Sequence, residues 1–217
     1  MKNINTKNYW DSRFSSGDWE NKNGRIQTIG FAKSQIKHLE IEKKINGTLL
    51  DFGCGLGDAV VVYRRNFPNA KLIGIDISSE AIKKCKKHYS QFANFICGSY
   101  TDVPQVDIII ASNVLEHLTE DKKIAKYLLE KCQVLYIIVP YKEKNHNDPN
   151  HEHVNQYDEF YFDGVAKKIT YKIFKSRGRG KDGLNLYYNV YFKNILRFIL
   201  GRNLRSKSRQ IMFKIQK

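Results

Sequence analysis

Proline and cysteine are both scarce in this chain, with four of each among 217 residues. So few prolines argue against a proline-rich linker protein. The cysteines, Cys54, Cys85, Cys97 and Cys132, form no CxxC pair, which fits neither a zinc site nor the disulfide framework of a small secreted domain. They read as reduced thiols, mostly buried. Long hydrophobic runs are missing as well. The longest, Leu186 to Leu200, is broken by Asn189, Lys193, Asn194 and Arg197, and so falls short of the ~20 apolar residues that a spanning helix needs. The opening MKNINTKNYWDSRF has neither an apolar core nor a small-residue cleavage site, so a cytoplasmic protein is expected.

Acid is scarce in one region only. Residues 164–217 hold 15 Lys+Arg against the single acid Asp182, a balance of +14, whereas residues 1–163 hold 22 against 21. The chain's formal charge of +15 is therefore a property of its last quarter. A local positive field of this kind attracts phosphate, anionic lipid or an acidic partner; a lysine-rich solvated face is the alternative. The remaining composition, 41% hydrophobic and 12% aromatic, is that of a globular domain and not of a disordered chain.

After an N-terminal segment bearing Tyr9, Trp10, Phe14 and Trp19, helical periodicity runs through Phe31, Ile36, Leu39 and Ile41. Strand and helix then alternate. TLLDFG reads as a buried strand, Asp58 to Asn66 as a helix stopped by Pro68, KLIGID as a strand, and SSEAIKKCKKHY as a helix capped by Ser78 or Ser79. ANFIC and VDIIIAS follow as strands, Asp121 to Lys131 as a helix and QVLYIIVP as a fifth strand. Apolar strands alternating with helices predict an α/β fold: a doubly wound, mostly parallel sheet with helices on both faces. Beyond Pro140 the rhythm fails in a polar, His-rich loop; KKITYKIF then reads as a strand, SRGRGKDG as a turn, Leu186 to Leu200 as a helix, and RQIMFKIQK as a closing strand with one exposed side.

Asp51-Phe-Gly53-Cys-Gly55-Leu-Gly57 follows a strand and opens a helix, where glycines let a ligand approach the backbone and the helix N-terminus. Its GxGxG spacing differs from the GxGxxG of dinucleotide sites. Asp76, 19 residues past Gly57, ends the second strand, where a carboxylate can accept both hydroxyls of a ribose.

These features resemble the Rossmann-like, class I S-adenosylmethionine-dependent methyltransferases, over roughly residues 48 to 140. The resemblance implies a seven-stranded sheet with an antiparallel C-terminal strand. It implies S-adenosylmethionine as cofactor and S-adenosylhomocysteine as product. Asp51, Gly53, Gly55 and Gly57 would lie against the cofactor's methionine part, with Asp76 and the adjoining Ile77 at its ribose. An acid often serves the adenine after strand three in this family; Gly98-Ser99-Tyr100 stands here instead, leaving Ser99, Tyr100 or backbone N–H groups for that contact. SNVLEHL is similar to the segment beneath the reactive methyl, which brings Asn113, Glu116 and His117 near the site by position. The N-terminal YWDSRF…GDWENKNGRIQT resembles the lid of a bacterial subgroup acting on small molecules and surface-glycan precursors. By that likeness Tyr9, Trp10, Arg25 and Gln27 would close over the cofactor, Arg25 pairing its carboxylate. The expected layout is one domain: a lid over 1–45, a cofactor core over 46–140, and an acceptor-side loop, basic helical insertion and closing strands over 141–217.

Methyl transfer from a sulfonium is an in-line displacement that mainly needs alignment and exclusion of water, and a hydroxyl acceptor also needs a base near neutral pKa. His146, His151 and His153 follow strand five on the acceptor side. In HEHVNQY, His153 with Asn155 resembles the segment common in small-molecule methyltransferases, which ranks His153 first and His151 second; a loop histidine bonded to backbone is the alternative. His146, Asp148, His151, Glu152 and His153 have ligand types suited to a divalent ion, but their spacing matches no template, so no metal is assigned. The expected acceptor is a small anion, a phosphorylated or nucleotide-linked sugar or phosphate derivative of surface-polysaccharide synthesis. Two rivals stand beside it. An RNA ribose or ring-nitrogen methyltransferase would use the basic tail on phosphates, although no Asn/Asp-Pro-Pro-aromatic tetrapeptide follows strand four. A non-catalytic cofactor-binding module would dock through Leu186 to Leu200. Residues 186–209 would either wall the substrate site or touch an anionic membrane.

Overall fold

The computed structural model describes residues 4–143, 152–175, 193–201 and 209–217. Three helices come first: α1 (Lys7–Ser15), α2 (Asp18–Asn21) and α3 (Gly24–Gln35). Then β1 (Thr48–Phe52), α4 (Asp58–Asn66), β2 (Lys71–Asp76), α5 (Ser79–Tyr89), β3 (Asn94–Cys97), β4 (Ile108–Ser112), α6 (Asp121–Glu130) and β5 (Val134–Pro140) alternate. The close consists of β6 (Lys168–Lys175), α7 (Lys193–Ile199) and β7 (Arg209–Gln216). Single 3-10 turns follow β3 (Tyr100–Asp102) and β4 (Leu115–His117).

The strands form one sheet in the order β3-β2-β1-β4-β5-β7-β6. The first five are parallel, and β7 runs antiparallel to both β5 and β6. This is the expected class, a seven-stranded, mostly parallel, doubly wound sheet with an antiparallel C-terminal strand. Alternation along each strand divides the core between two faces. Leu49, Ile108, Ile110, Tyr136 and Met212 pack with Val60, Tyr63, Ile82 and Cys85 of α4 and α5. Leu50, Ile109, Ile137, Ile211 and Phe213 pack with Ile124 and Leu128 of α6 and with Tyr157 and Phe162. The strand order reverses between β1 and β4, so the crevice beyond their C-terminal ends is where a ligand meets an open α/β sheet.

Two expectations at the C-terminus change. β7 does not have one exposed side: Ile211, Phe213 and Ile215 pack into one core layer and Met212 into the other, and Gln210 is buried beside Gln35. The helix expected over 186–200 is described from Lys193, and it does not bury a wide apolar face: Ile195, Leu196, Phe198, Ile199 and Leu200 are all exposed, Phe198 by 76%. β6 and β7 are antiparallel neighbours, and such a pair needs no crossover over the sheet face, so the connection has no reason to lie on it. The turn at 176–183, residues 186–192 and Arg202, Arg205 and Lys207 lie outside the described residues. Among the described residues no helix is long and apolar enough to cross a membrane. Cys54, Cys85 and Cys132 are buried free thiols, and Cys97 is exposed.

Candidate active site

The loop from β1 to α4 gathers Gly53, Gly55 and Gly57, all at positive φ (71°, 51° and 76°). Gly53 is required by packing, since a Cβ there would lie 2.3 Å from Val114 Cγ2, on the segment after β4. Gly55 is different. The nearest atom to a Cβ there would be Phe14 Cζ at 3.6 Å, an ordinary contact, so this peptide faces the Phe14 ring of α1 without being packed tight. The loop N–H of Gly55 donates to Asp76 Oδ2 (2.8 Å), and the Ser78 N–H donates to Asp76 Oδ1 (2.8 Å). Burial raises the Asp76 carboxyl above its ordinary pKa, against the pull of those two donors. Asp51, 4% exposed at the end of β1, is pushed up to about 8 by burial and then by the charge of Asp76. Ile77 is 41% exposed beside Asp76. A glycine-lined approach to backbone, opening on a helix N-terminus with a carboxylate alongside, fits a nucleoside sulfonium carrying amino and carboxylate groups.

Helix α1 sits on this loop because Asp11 caps α5: its Oδ1 accepts from Ser78 Oγ (2.6 Å) and from the Glu80 N–H (3.2 Å). Trp10, Phe14 and Trp19 form an aromatic cluster. The Trp10 ring also meets His117 edge-on at 5.3 Å, so the cluster spans from Gly55 to the segment after β4. Arg13 and Tyr9 both bond Glu152, and Asn5 Nδ2 donates to the Glu152 carbonyl (2.7 Å), stitching α1 to the loop after β5.

The structure places the other sequence-derived residues as follows. Arg25, expected at the cofactor's carboxylate, instead forks onto Asp58 (2.8 to 3.2 Å) and donates to Tyr89 Oη (2.8 Å). The reason is electrostatic. Asp58, 1% exposed at the start of α4, is a buried charge that needs a partner, and the same contact raises the Arg25 pKa. Gln27 is half-buried on α3. Ser99 caps the turn after β3, accepting from the Thr101 N–H while Asp102 takes the Ser99 N–H (2.8 Å). An acid therefore does stand after β3, at Asp102, three residues beyond Ser99. Tyr100 packs edge-on against Tyr127 at 5.4 Å. Asn113, at φ 55°, accepts from Gln210 Nε2 (2.7 Å) and donates to Ser112 Oγ (3.1 Å), in a polar chain with Gln35.

In the loop after β5, His146, Asp148 and His151 lie outside the described residues. His153 does not group with Glu152, which is engaged by α1, but with Glu116 and His117. Each of these three offers one ligand atom, all within 4.8 Å of one another. The Val154 N–H donates to the Glu116 carbonyl (2.7 Å), and Asn155 Nδ2 donates to the carbonyls of Leu115 (3.2 Å) and Leu118 (2.7 Å), fixing the two segments together. Burial lifts the Glu116 carboxyl to about 7 and lowers His117 to about 4. For His153 burial pulls down, but the hydrogen bond to Glu143 and the charges of Glu116, Glu143 and Glu152 outweigh it, and the net shift is upward. In the sequence, Glu116 and His117 were visible only as neighbours of the site. Their adjacency just past a strand end was the signal, and the fold of the 152–155 loop supplies the grouping with His153.

Comparison with known proteins agrees with this architecture. A family profile described as a methyltransferase domain matches residues 49–136. The trans-aconitate 2-methyltransferase of Afipia carboxidovorans is 31% identical over 130 residues, 57% of this chain and 47% of that protein. The chain spans under half the length of the curated relatives it matches first. Among solved structures, a Haloferax volcanii methyltransferase in complex with the Trm112 activator covers 95% of this chain and 97% of that one, with a TM-score of 0.71 at 13% identity. The plantazolicin methyltransferase BpumL bound to S-adenosylhomocysteine covers 97% and 95%, with a TM-score of 0.56 at 17% identity. The sheet order and these likenesses show a Rossmann-like fold of the kind found in solved methyltransferases, and the profile matched over residues 49–136 is that of a methyltransferase domain.

Proposed function

We propose that the chain transfers a methyl group from S-adenosylmethionine to an oxygen of a small anionic acceptor. The acceptor class we favour is a phosphorylated or nucleotide-linked sugar, or a phosphate derivative, of surface-polysaccharide synthesis. The cofactor supplies an electrophilic methyl on a positively charged sulfur. The chain's own residues do the rest: the loop from Gly53 to Gly57 and Asp76 hold the donor, and α1 with Trp10 and Phe14 covers it from water.

The observation that carries the reading is the meeting of Glu116, His117 and His153 at the end of the aromatic cluster that begins at Gly55. A hydroxyl acceptor must lose a proton there. His153 receives it in the chain as it stands, with Glu143 stabilising the imidazolium that forms. His151 ranks second. The anionic character of the acceptor is supported by the +14 balance of residues 164–217 and by the organic acid in the name of the trans-aconitate relatives. The exposed apolar side chains of α7, in that same basic region, also support a peripheral contact of residues 186–209 with an anionic surface. Incubation with labelled S-adenosylmethionine and fractionated small metabolites and RNA tests the reading: label should enter an anionic small molecule, and label in RNA alone would overturn it. His153→Ala should lower turnover by ~10²-fold, the usual range for a lost general base, with cofactor affinity held within a few-fold.

A further inference from the structure

Glu116 is 1% exposed, and neither of its carboxylate oxygens has a hydrogen-bond partner among the described residues. A buried carboxylate left without donors is costly, and native structures avoid it unless a cation or ligand completes the site. The side chains nearest to it in chemistry are two imidazoles. His117 Nδ1 lies 3.1 Å from the Glu152 carbonyl, and His153 Nδ1 lies 2.5 Å from Glu143 Oε2. A ring that donates its Nδ1–H to a carbonyl or a carboxylate carries its lone pair on Nε2. That outer-shell arrangement, carbonyl to one histidine and carboxylate to the other, is the one that orients histidines as metal ligands. The backbone of both segments is already fixed by Val154 and Asn155.

We propose that Glu116, His117 and His153 form a site for one divalent first-row transition-metal ion on the acceptor side of the pocket. Two imidazoles and one carboxylate suit zinc, manganese, iron(II) or cobalt and leave coordination positions open. The three ligand atoms lie within 4.8 Å of one another; a tetrahedral set with bonds of ~2.1 Å would bring them to ~3.4 Å, a closure within reach of side-chain rotation. The role of the ion rests on the methyl-transfer reading above, although the site itself does not. An open position would take the acceptor oxygen. Its O–H bond ionises on the cation with the proton passing to water, the oxygen then bonds the methyl carbon as the sulfur–methyl bond breaks, and that electron pair stays on sulfur. His153 is then a ligand and no longer the proton acceptor.

The test uses the full chain after dialysis against a chelator, titrated with Co²⁺ and followed by its visible ligand-field bands, then by Zn²⁺ competition. The expected result is one Co²⁺ per chain, displaced by Zn²⁺, with affinity reduced at least ~100-fold in Glu116→Gln and in His117→Ala and ~10-fold in Glu143→Gln, the range for an outer-shell change. S-adenosylhomocysteine binding and the melting temperature, measured on each variant, separate a lost ligand from a lost fold. Absence of the bands, or bands unchanged in Glu116→Gln, would overturn the site. Because metal binding is read without turnover, cobalt binding in a chain that transfers no methyl leaves the site standing and sinks the methyl-transfer reading. Transfer that survives chelation, with no cobalt bands, does the reverse.

Discussion

Asp51 shows how a single residue can be tuned against stability. A carboxyl buried at a strand end keeps its proton in the fold up to about pH 8, whereas the unfolded chain releases it near 3.8. An acid with a raised native pKa contributes stability below its unfolded pKa and loses it as pH rises toward the native value. The ligand-free chain should therefore weaken between about pH 4 and pH 8 on this account. Asp51→Asn removes that dependence and is expected to melt about 5 °C above the parent at pH 8, with little difference at pH 4; this corresponds to roughly 2 kcal/mol, well under the full shift at ~1.4 kcal/mol per pKa unit. Calorimetry at the two pH values checks it, and an equal gap at both would remove the ionisation from the explanation.

Between elements, the junctions decide which side chains are available to a ligand. The fork from Arg25 to Asp58 joins α3 to α4. Arg25→Ala leaves a buried carboxylate with Tyr89 as its remaining neighbour and should cost about 1–3 kcal/mol, less than a fully buried pair because the guanidinium is partly solvated. Arg25→Ala with Asp58→Asn should be milder than Arg25→Ala alone in a denaturant titration; an additive loss would mean that the pair is not coupled. Helix α7 makes the opposite prediction. Phe198 and Ile199 are 76% and 70% exposed, so Phe198→Ser and Ile199→Ser should change stability by no more than ~0.5 kcal/mol. A larger drop would show that the apolar face is covered.

Elements of this kind also mark how far the sequence could be read. The parallel half was legible because each strand is a short apolar run followed by its helix signals: Asp58 to Asn66 and the Ser78 cap appear where the pattern put them. The burial of β7 was not legible, since alternation in RQIMFKIQK describes an isolated strand, and its second face is covered only in the fold, where Met212 joins the core of α4 and α5 and Gln210 bonds Gln35 of α3. The glycine loop was legible because positive φ at Gly53, Gly55 and Gly57 dictates the residue type. The partner of Arg25 was not, because Asp58 lies 33 residues away and its burial depends on tertiary packing. The same holds for Glu116, His117 and His153, which are separated in the chain and meet only because the 152–155 loop folds back on the end of β4.

At the scale of the molecule, residues 1–163 are near neutral and the last quarter of the chain is strongly basic, and the proposed donor site lies at the reversal between β1 and β4. The binding half of that claim does not depend on knowing the acceptor. Titration of S-adenosylhomocysteine into the full chain by calorimetry tests it most directly. The expected result is one site per chain, no comparable heat from NAD, and a loss in Asp76→Ala of roughly 1.5–3 kcal/mol, or ~10- to 150-fold in Kd, for the hydrogen bonds of a charged acceptor. No binding of S-adenosylhomocysteine, or an Asp76→Ala variant that binds it as tightly as the parent, would contradict it.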